Sequence, residues 1–243
     1  MKSIFFWLII AIGPCFALAQ TKIKKSYPVD ESQTIDFRFD YPQKIYISTW
    51  SGNEIIVEAN VTINNGKSDG AFTLVGTNTK GEISISNKLN MEMIPENYYI
   101  KDKGVKIQFG SKKDLEAYLK TLSGPRPSTY QNKDINIDIH IKVPADVSTK
   151  VTSVYGLVEV RDFNGPIEVD ATYGGIDASL TEKSIGRLQL TTRYGKIYTN
   201  ISLKPIEKIQ KDFFTSITAV PGKGPGYHLI SSYGNIYLRS SNN

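Results

Sequence analysis

Between Ile135 and Val143 apolar and polar residues alternate without a break, Ile135-Asn-Ile-Asp-Ile-His-Ile-Lys-Val143, and Pro144 follows. A period of two sends every second side chain to one side of an extended chain, so the stretch predicts a half-buried strand. Proline, which cannot donate to a sheet, ends it. Downstream the alternation breaks into short runs that flank a Tyr-Gly pair. Aligned on that pair they read Val151-Thr-Ser-Val-Tyr155-Gly156-Leu-Val-Glu-Val160, Val169-Asp-Ala-Thr-Tyr173-Gly174-Gly-Ile-Asp-Ala178, Leu190-Thr-Thr-Arg-Tyr194-Gly195-Lys-Ile-Tyr-Thr199 and Leu229-Ile-Ser-Ser-Tyr233-Gly234-Asn-Ile-Tyr-Leu238. The first column is aliphatic, the third is small (Ser153, Ala171, Thr192, Ser231), and the eighth is Val158, Ile176, Ile197 and Ile236. Each glycine marks a corner that needs either positive φ or a missing Cβ.

The unit is about twenty residues long and holds two short strands, too few for a βαβ unit of roughly 30 residues. Like residues in like columns predict stacking: in a β-solenoid, equivalent positions of successive coils lie about 4.8 Å apart. The expected fold is therefore all-β, a solenoid resembling a parallel β-helix, with Tyr155, Tyr173 and Tyr194 stacked in chain order. The longer gap before Tyr233 predicts a degenerate copy around Phe213 to Val220. Upstream, Ile45 to Val57 reads as a degenerate coil with Trp50-Ser51-Gly52 at its corner, and Gly81 to Ile85 as a half-repeat. Val57 to Ile63 and Phe72 to Val75 read as strands, with Asn64-Asn65-Gly66 a turn. Strand character is expected to begin near residue 34.

Met91 to Lys133 departs from the pattern. Ser111 followed by Asp114, then Leu115, Tyr118, Leu119 and Leu122, predicts a short capped amphipathic helix stopped by Gly124-Pro125. Near it Tyr98 and Tyr99 stand beside Lys101, Lys103 and Lys106, and Lys112 and Lys113 follow. Basic residues next to aromatics suit a polyanionic glycan or a phosphorylated head group, and a solvated insertion has the same composition. These five residues are the candidate ligand-binding set.

Lys2, the apolar run Ile4 to Ile12 and Ala17-Leu18-Ala19 have the form of a secretory leader cleaved after residue 19. Cys15 would leave with it, and Pro14 stands where a lipoprotein signal wants a small residue. The expected organisation is a signal peptide at 1–19, an N-terminal β-strand region at 20–90, an insertion at 91–134 and repeats at 135–243. Residues 20–243 are expected to form one continuous domain. No later segment reaches the roughly 18 apolar residues of a membrane span, so release to the periplasm or the cell exterior is expected.

Composition narrows the function. A net charge of +5 with 22% charged residues is too diffuse for a dedicated nucleic-acid binder. One Cys and two His exclude zinc fingers and disulfide scaffolds. The carboxylates Glu159, Glu168, Asp170 and Asp177, with Arg161, Arg187 and Arg193 nearby, fall on outward positions where they also serve solubility. Glu159 and Asp177 share a column, close enough for Ca²⁺ or an acid/base pair, but the column continues as Tyr198 and Tyr237 and supplies no third ligand. His140 and His228 lack a nucleophile motif, and Gly222-Lys-Gly-Pro-Gly226 lacks the helix of a phosphate loop. No catalytic residue, metal ligand or cofactor is assigned.

Val143-Pro144-Ala145-Asp146 followed by Tyr-Gly-x-hydrophobic repeats resembles the bacterial putative-adhesin family of β-strand-repeat envelope proteins. The likeness covers Ile135 to Leu238 well and Ile45 to Ile85 loosely. It implies a β-helical, secreted or envelope-associated protein with no established enzymatic activity, and the expected role is a binding scaffold or adhesin with an envelope glycan or protein partner. Secretion and β-helices are also shared by polysaccharide lyases and hydrolases, so a carbohydrate-active enzyme is the alternative.

Overall fold

The computed structural model describes residues 20–30, 32–102 and 104–241; the leader expected at 1–19, with Cys15, lies outside the described residues. In chain order β1 (Thr21–Pro28), β2 (Thr34–Phe39), β3 (Lys44–Trp50), β4 (Glu54–Ile63), β5 (Phe72–Asn78) and β6 (Glu82–Leu89) come first. They are followed by β7 (Asn97–Asp102), β8 (Val105–Phe109), α1 (Lys112–Thr121) and β9 (Ser128–Asn132). Next come β10 (Ile135–Pro144), β11 (Thr149–Ser153), β12 (Leu157–Val160), β13 (Ile167–Ala171), β14 (Ile176–Leu180), β15 (Leu188–Thr192) and β16 (Ile197–Thr199). The chain finishes with β17 (Pro205–Lys211), β18 (Phe214–Ala219), β19 (Tyr227–Ser231) and β20 (Ile236–Ser240). The class is all-β.

Two large sheets enclose one hydrophobic cluster. The first runs β1-β4-β10-β3-β12-β14-β20-β16 and the second β17-β18-β15-β19-β13-β11-β2-β6-β5. Each Tyr-Gly unit gives one strand to each sheet, and units stack parallel and in register: Val151 pairs with Val169, Val169 with Leu229, and Leu229 with Leu190. Across the core Val158, Ile176, Ile236 and Ile197 follow the same order. Alternation thus buries the aliphatic columns, as the burial of Val151, Val169, Leu229 and Leu190 shows.

The order of rungs is not the order of the chain. The last unit, β19 and β20, lies between β13–β14 and β15–β16, so Tyr173 and Tyr194 are separated by Tyr233. The segment expected to be a degenerate coil, Phe213 to Val220, is instead one arm of a hairpin. Its strand β18 pairs antiparallel with β15, Leu190 opposite Ile217. With that edge of β15 occupied, the returning chain pairs on the other side. A further rung stands at the opposite end: β2 pairs with β11 and β3 with β12, joined by the corner Asp40-Tyr41-Pro42-Gln43. Trp50-Ser51-Gly52, expected at that corner, instead links β3 to β4, two strands of one sheet with β10 between them.

Strand structure also starts earlier than expected, at Thr21. The lysine-rich β1 hides its character because it is an edge strand, paired only with β4 and mostly exposed. The insertion carries the expected helix, capped by Ser111, whose hydroxyl accepts the Asp114 N–H. It also carries an unexpected three-stranded sheet, β8-β7-β9.

The corners explain the Tyr-Gly-pair. None of Gly156, Gly174, Gly195 and Gly234 has positive φ; what each position needs is the missing Cβ. A methyl group on Gly174 would drive into the carbonyl oxygen of Gly156, one on Gly234 into that of Gly174, and one on Gly195 into that of Gly234. The third column has a matching task. Ser153 Oγ accepts the Gly156 N–H at 3.1 Å, Thr192 Oγ1 that of Gly195 at 3.2 Å and Ser231 Oγ that of Gly234 at 3.0 Å, each tying its corner from inside. Where the second unit has Ala171, Ser231 of the neighbouring rung donates to the Gly174 carbonyl at 3.0 Å.

Gly174→Ala therefore forces backbone against backbone and should cost about 1–3 kcal/mol. At roughly 2–4 °C per kcal/mol for a chain of this size, thermal unfolding followed by circular dichroism should show a clear drop. Gly81→Ala, with open space around it, should leave the midpoint nearly unchanged.

Candidate functional site

Stacking the corners in register stacks the residue before each glycine. Tyr41, Tyr155, Tyr173, Tyr233, Tyr194 and Phe213 form one continuous row with successive centroids 6.1, 5.3, 5.1, 4.9 and 5.6 Å apart. The central rings lie within 13° of parallel. Stacking of this kind adds about 0.5–1.5 kcal/mol per pair beyond area. Ring faces are spent on neighbours, yet each of the four central tyrosines stays at least 53% exposed. What solvent meets is a strip of ring edges and phenol hydroxyls.

Tyr41 was not found from the sequence because proline, not glycine, follows it. Its corner still brings Pro42 O against Gly156, so the contact is conserved in kind while the dipeptide is not. Phe213 closes the other end from the β17–β18 turn, with φ of 58° and 73% exposure. A bulky residue in the left-handed region is uncommon.

A second row crosses the outward side of the first sheet. In register it runs His140, Tyr46, Glu159, Asp177, Tyr237 and Tyr198. His140 stacks on Tyr46 at 4.5 Å and Tyr237 on Tyr198 at 5.2 Å. Between the aromatic pairs the carboxylates are clamped. Arg161 reaches Glu159 at 3.0 Å and Asp177 at 3.1 Å, and Arg239 reaches Asp177 at 2.9 Å. The Arg161 guanidinium occupies the place a shared cation would take. Among the described residues no cluster of three His, Cys, Asp or Glu is arranged to hold a metal.

The outward side of the second sheet carries Glu168 between Lys150, at 2.8 Å, and His228, at 3.5 Å. They border a shallow, mixed-charge hollow of about 450 Å³ with Asp36 and Arg187. The Lys150 hydrogen bond holds the Glu168 carboxyl below its usual range. Burial pushes Asp177 up, but hydrogen bonds from Arg239 and Arg161 outweigh it and leave the carboxyl low. A general acid needs the opposite shift.

The five residues singled out in the insertion are divided. Tyr99 is buried, stacked on Tyr130 at 5.1 Å, and its hydroxyl donates to Asp134. Lys106 Nζ lies 3.9 Å above the Tyr99 ring. Lys101 is directly opposite Lys106 and exposed, and Tyr98 is half-buried beside Phe109. Lys103 is outside the described residues. The exposed members are thus Lys101 and Lys106, with Tyr130 the accessible ring.

No family model matches the chain and no curated protein matches it. Among solved structures, one of a putative cell adhesion protein from Clostridium sporogenes is 8% identical with a TM-score of 0.42, over 91% of this chain and 100% of that one. One of a putative adhesin from Bacteroides fragilis is 9% identical with a TM-score of 0.21, over 92% of this chain and 99% of that one. Likenesses this distant carry no argument for this chain.

Two pH limits follow. Depressed carboxyls stabilise the fold fully above their ordinary values, and that contribution is lost as pH falls through the lower folded values. Unfolding midpoints should therefore decline below pH about 4, less steeply in Glu168→Gln/Asp177→Asn. Burial, aided by Asp134, pushes Tyr99 up to about 12, and burial does the same to Tyr227, also up to about 12. Raised phenols stabilise below the ordinary value of 10.0 and lose that contribution as pH rises toward about 12, where phenolate absorbance should show both ionising late.

Proposed function

We propose that the protein is an exported, non-enzymatic binding scaffold of the cell envelope, adhesin-like, that meets a glycan or protein partner through its aromatic row. The observation that carries this reading is the row itself: six aromatic residues held in line at stacking distance and left open to solvent. Stability alone needs the rings stacked, but a long exposed aromatic strip is characteristic of interaction surfaces, where tyrosine is enriched. Edges and hydroxyls at a constant spacing suit a partner with its own repeat.

Export rests on the leader pattern at 1–19, and placement in the periplasm or outside the cell on the same pattern. Among the described residues no helix is long and apolar enough to cross a membrane. The parallel, in-register rungs support reading the stack as a short β-solenoid with one rung inserted out of turn. A single hydrophobic cluster that includes Ile94 supports one continuous domain over 20–243, with the insertion at 91–134 appended to it. Tyr98, Tyr99, Lys101, Lys103 and Lys106 belong to a second contact region in this reading. Tyr99 there has a supporting task, holding Tyr130 and Lys106.

The test is capture of envelope components by the purified protein, comparing Tyr155→Ser/Tyr173→Ser/Tyr233→Ser with a variant lacking residues 91–133. Loss of a captured component with the triple variant, and only weaker capture of it by the deletion variant, is the expected result. Retention of every component by the triple variant would falsify the choice of surface. Release of reducing ends or unsaturated sugars from envelope polysaccharide, lost in Glu168→Gln or Asp177→Asn by about 10²-fold or more, would instead establish the enzyme.

A further inference from the structure

The two ends of the sheet stack are finished differently. At one end the edge strands β1 and β5 are tied together: Lys25 Nζ donates to the Leu74 carbonyl at 2.7 Å, and the Tyr27 ring covers Gly76. At the other end the second sheet continues past β15 through β18 and β17, while the first sheet stops at β16. One sheet therefore overhangs the other by two strands. The outer edge, β17, exposes every residue and combines Pro205, Glu207, Lys208 and Lys211 with a register shift, features that discourage pairing. The edge of β16 is Ile197-Tyr198-Thr199 and has none of them.

Main-chain geometry shows which groups β16 leaves open. The Ile236 N–H donates to Lys196 O at 2.9 Å and the Asn200 N–H to Leu238 O at 3.3 Å. Residues 196, 198 and 200 therefore turn their peptide groups toward β20. In a parallel ladder the alternate residues, Ile197 and Thr199, turn N–H and C=O the other way, toward the position a further strand would take. Facing that position is the inner side of the overhang. Thr215 and Ile217 on β18 continue the inward columns of Thr192 and Leu190, and Lys208 and Gln210 on β17 continue those of Ile217 and Thr215. Together with Gly195 to Tyr198 they line a cleft of about 340 Å³.

We propose that this cleft accepts an extended acidic peptide segment as an added strand of the first sheet. Open peptide groups at a two-residue interval select a polypeptide, since a strand supplies matching donors and acceptors and a glycan does not. Lys196 and Lys208 line the cleft without an acidic side chain among its lining residues, so charge favours Glu or Asp on the incoming strand. Ile197 and Ile217 favour small apolar residues between them. A second copy of this chain fits less well, because its own β16 edge carries Lys196 beside it and its β17 would add Lys208 and Lys211, positive charge brought to positive charge. The short edge, three residues long, restrains indiscriminate pairing.

The probe is a blocked synthetic peptide, Ser-Glu-Val-Glu-Val-Glu-Ser, titrated into protein purified from cells expressing the full chain and followed by amide NMR. The expected result is saturable binding with Kd below about 1 mM, with shifts confined to Lys196–Thr199 and Lys208–Ile217. Lys208→Glu should weaken it at least about tenfold. Thr199→Pro removes an N–H that points away from β20, together with the hydroxyl that accepts the Ile201 N–H at 3.0 Å. It should therefore abolish binding in a protein that still unfolds cooperatively, and Thr199→Ala, which loses only the hydroxyl, should keep binding. Absence of saturable binding overturns the proposal. So does equal binding by a peptide with Lys in place of Glu, or by one with Pro at its centre. Concentration-dependent dimerisation that Thr199→Pro prevents would hand the edge to a second copy and overturn the acidic segment. The aromatic row stands or falls on its own test, since no residue of the row is among those lining the cleft.

Discussion

Close approach of one corner's glycine to the carbonyl oxygen of the next sets the geometry of the whole molecule. Sheet hydrogen bonding brings successive rungs to roughly 4.8 Å, and where the chain turns from one sheet to the other a side chain would stand in the way. Removing the Cβ at Gly156, Gly174, Gly234 and Gly195 lets the corners nest. Once they nest, register is determined in both sheets at once. The residue before the glycine must stack outward, the third-column hydroxyl reaches the corner amide from inside, and the aliphatic columns meet across the core.

In-register stacking also has a cost, because it places like on like. Repeating the eighth-column isoleucine gains burial at every rung, whereas repeating an acid on the outward face would add repulsion at every rung. The row through Glu159 and Asp177 is resolved by two devices. Arg161 and Arg239 close over the carboxylates, and the row changes to Tyr237 and Tyr198 on the following rungs. Aromatic rings tolerate stacking on their own kind, which carboxylates do not. The candidate catalytic pair is thus better understood as the charged middle of an outward row whose two ends are aromatic.

Ends matter in a stacked fold because each rung satisfies only its neighbours. The β1–β5 end is sealed by a lysine and a tyrosine reaching from one sheet to the other. At the opposite end the hairpin β17–β18 covers β15 but leaves β16 uncovered. The same hairpin places Phe213 at the end of the aromatic row, so the closure of one sheet and the termination of the row are one structural event.

The sequence alone determined the strands of the repeats, the direction each residue faces and the aromatic column, because period-two burial and a missing Cβ act locally and leave a local mark. The capped helix was legible for the same reason. Tertiary structure decided the order of the rungs, since β13, β15 and β19 present equivalent aliphatic faces and the pattern cannot say which pairs with which; the antiparallel β18 occupying one edge of β15 settles it. Tyr41 escaped notice because Pro42 O serves there as the stacking acceptor without a Tyr-Gly pair. The fate of Tyr99 was equally hidden. A tyrosine among lysines reads as a surface residue until Tyr130 covers its ring and Asp134 takes its hydroxyl, and those partners come from β9 and the turn after it.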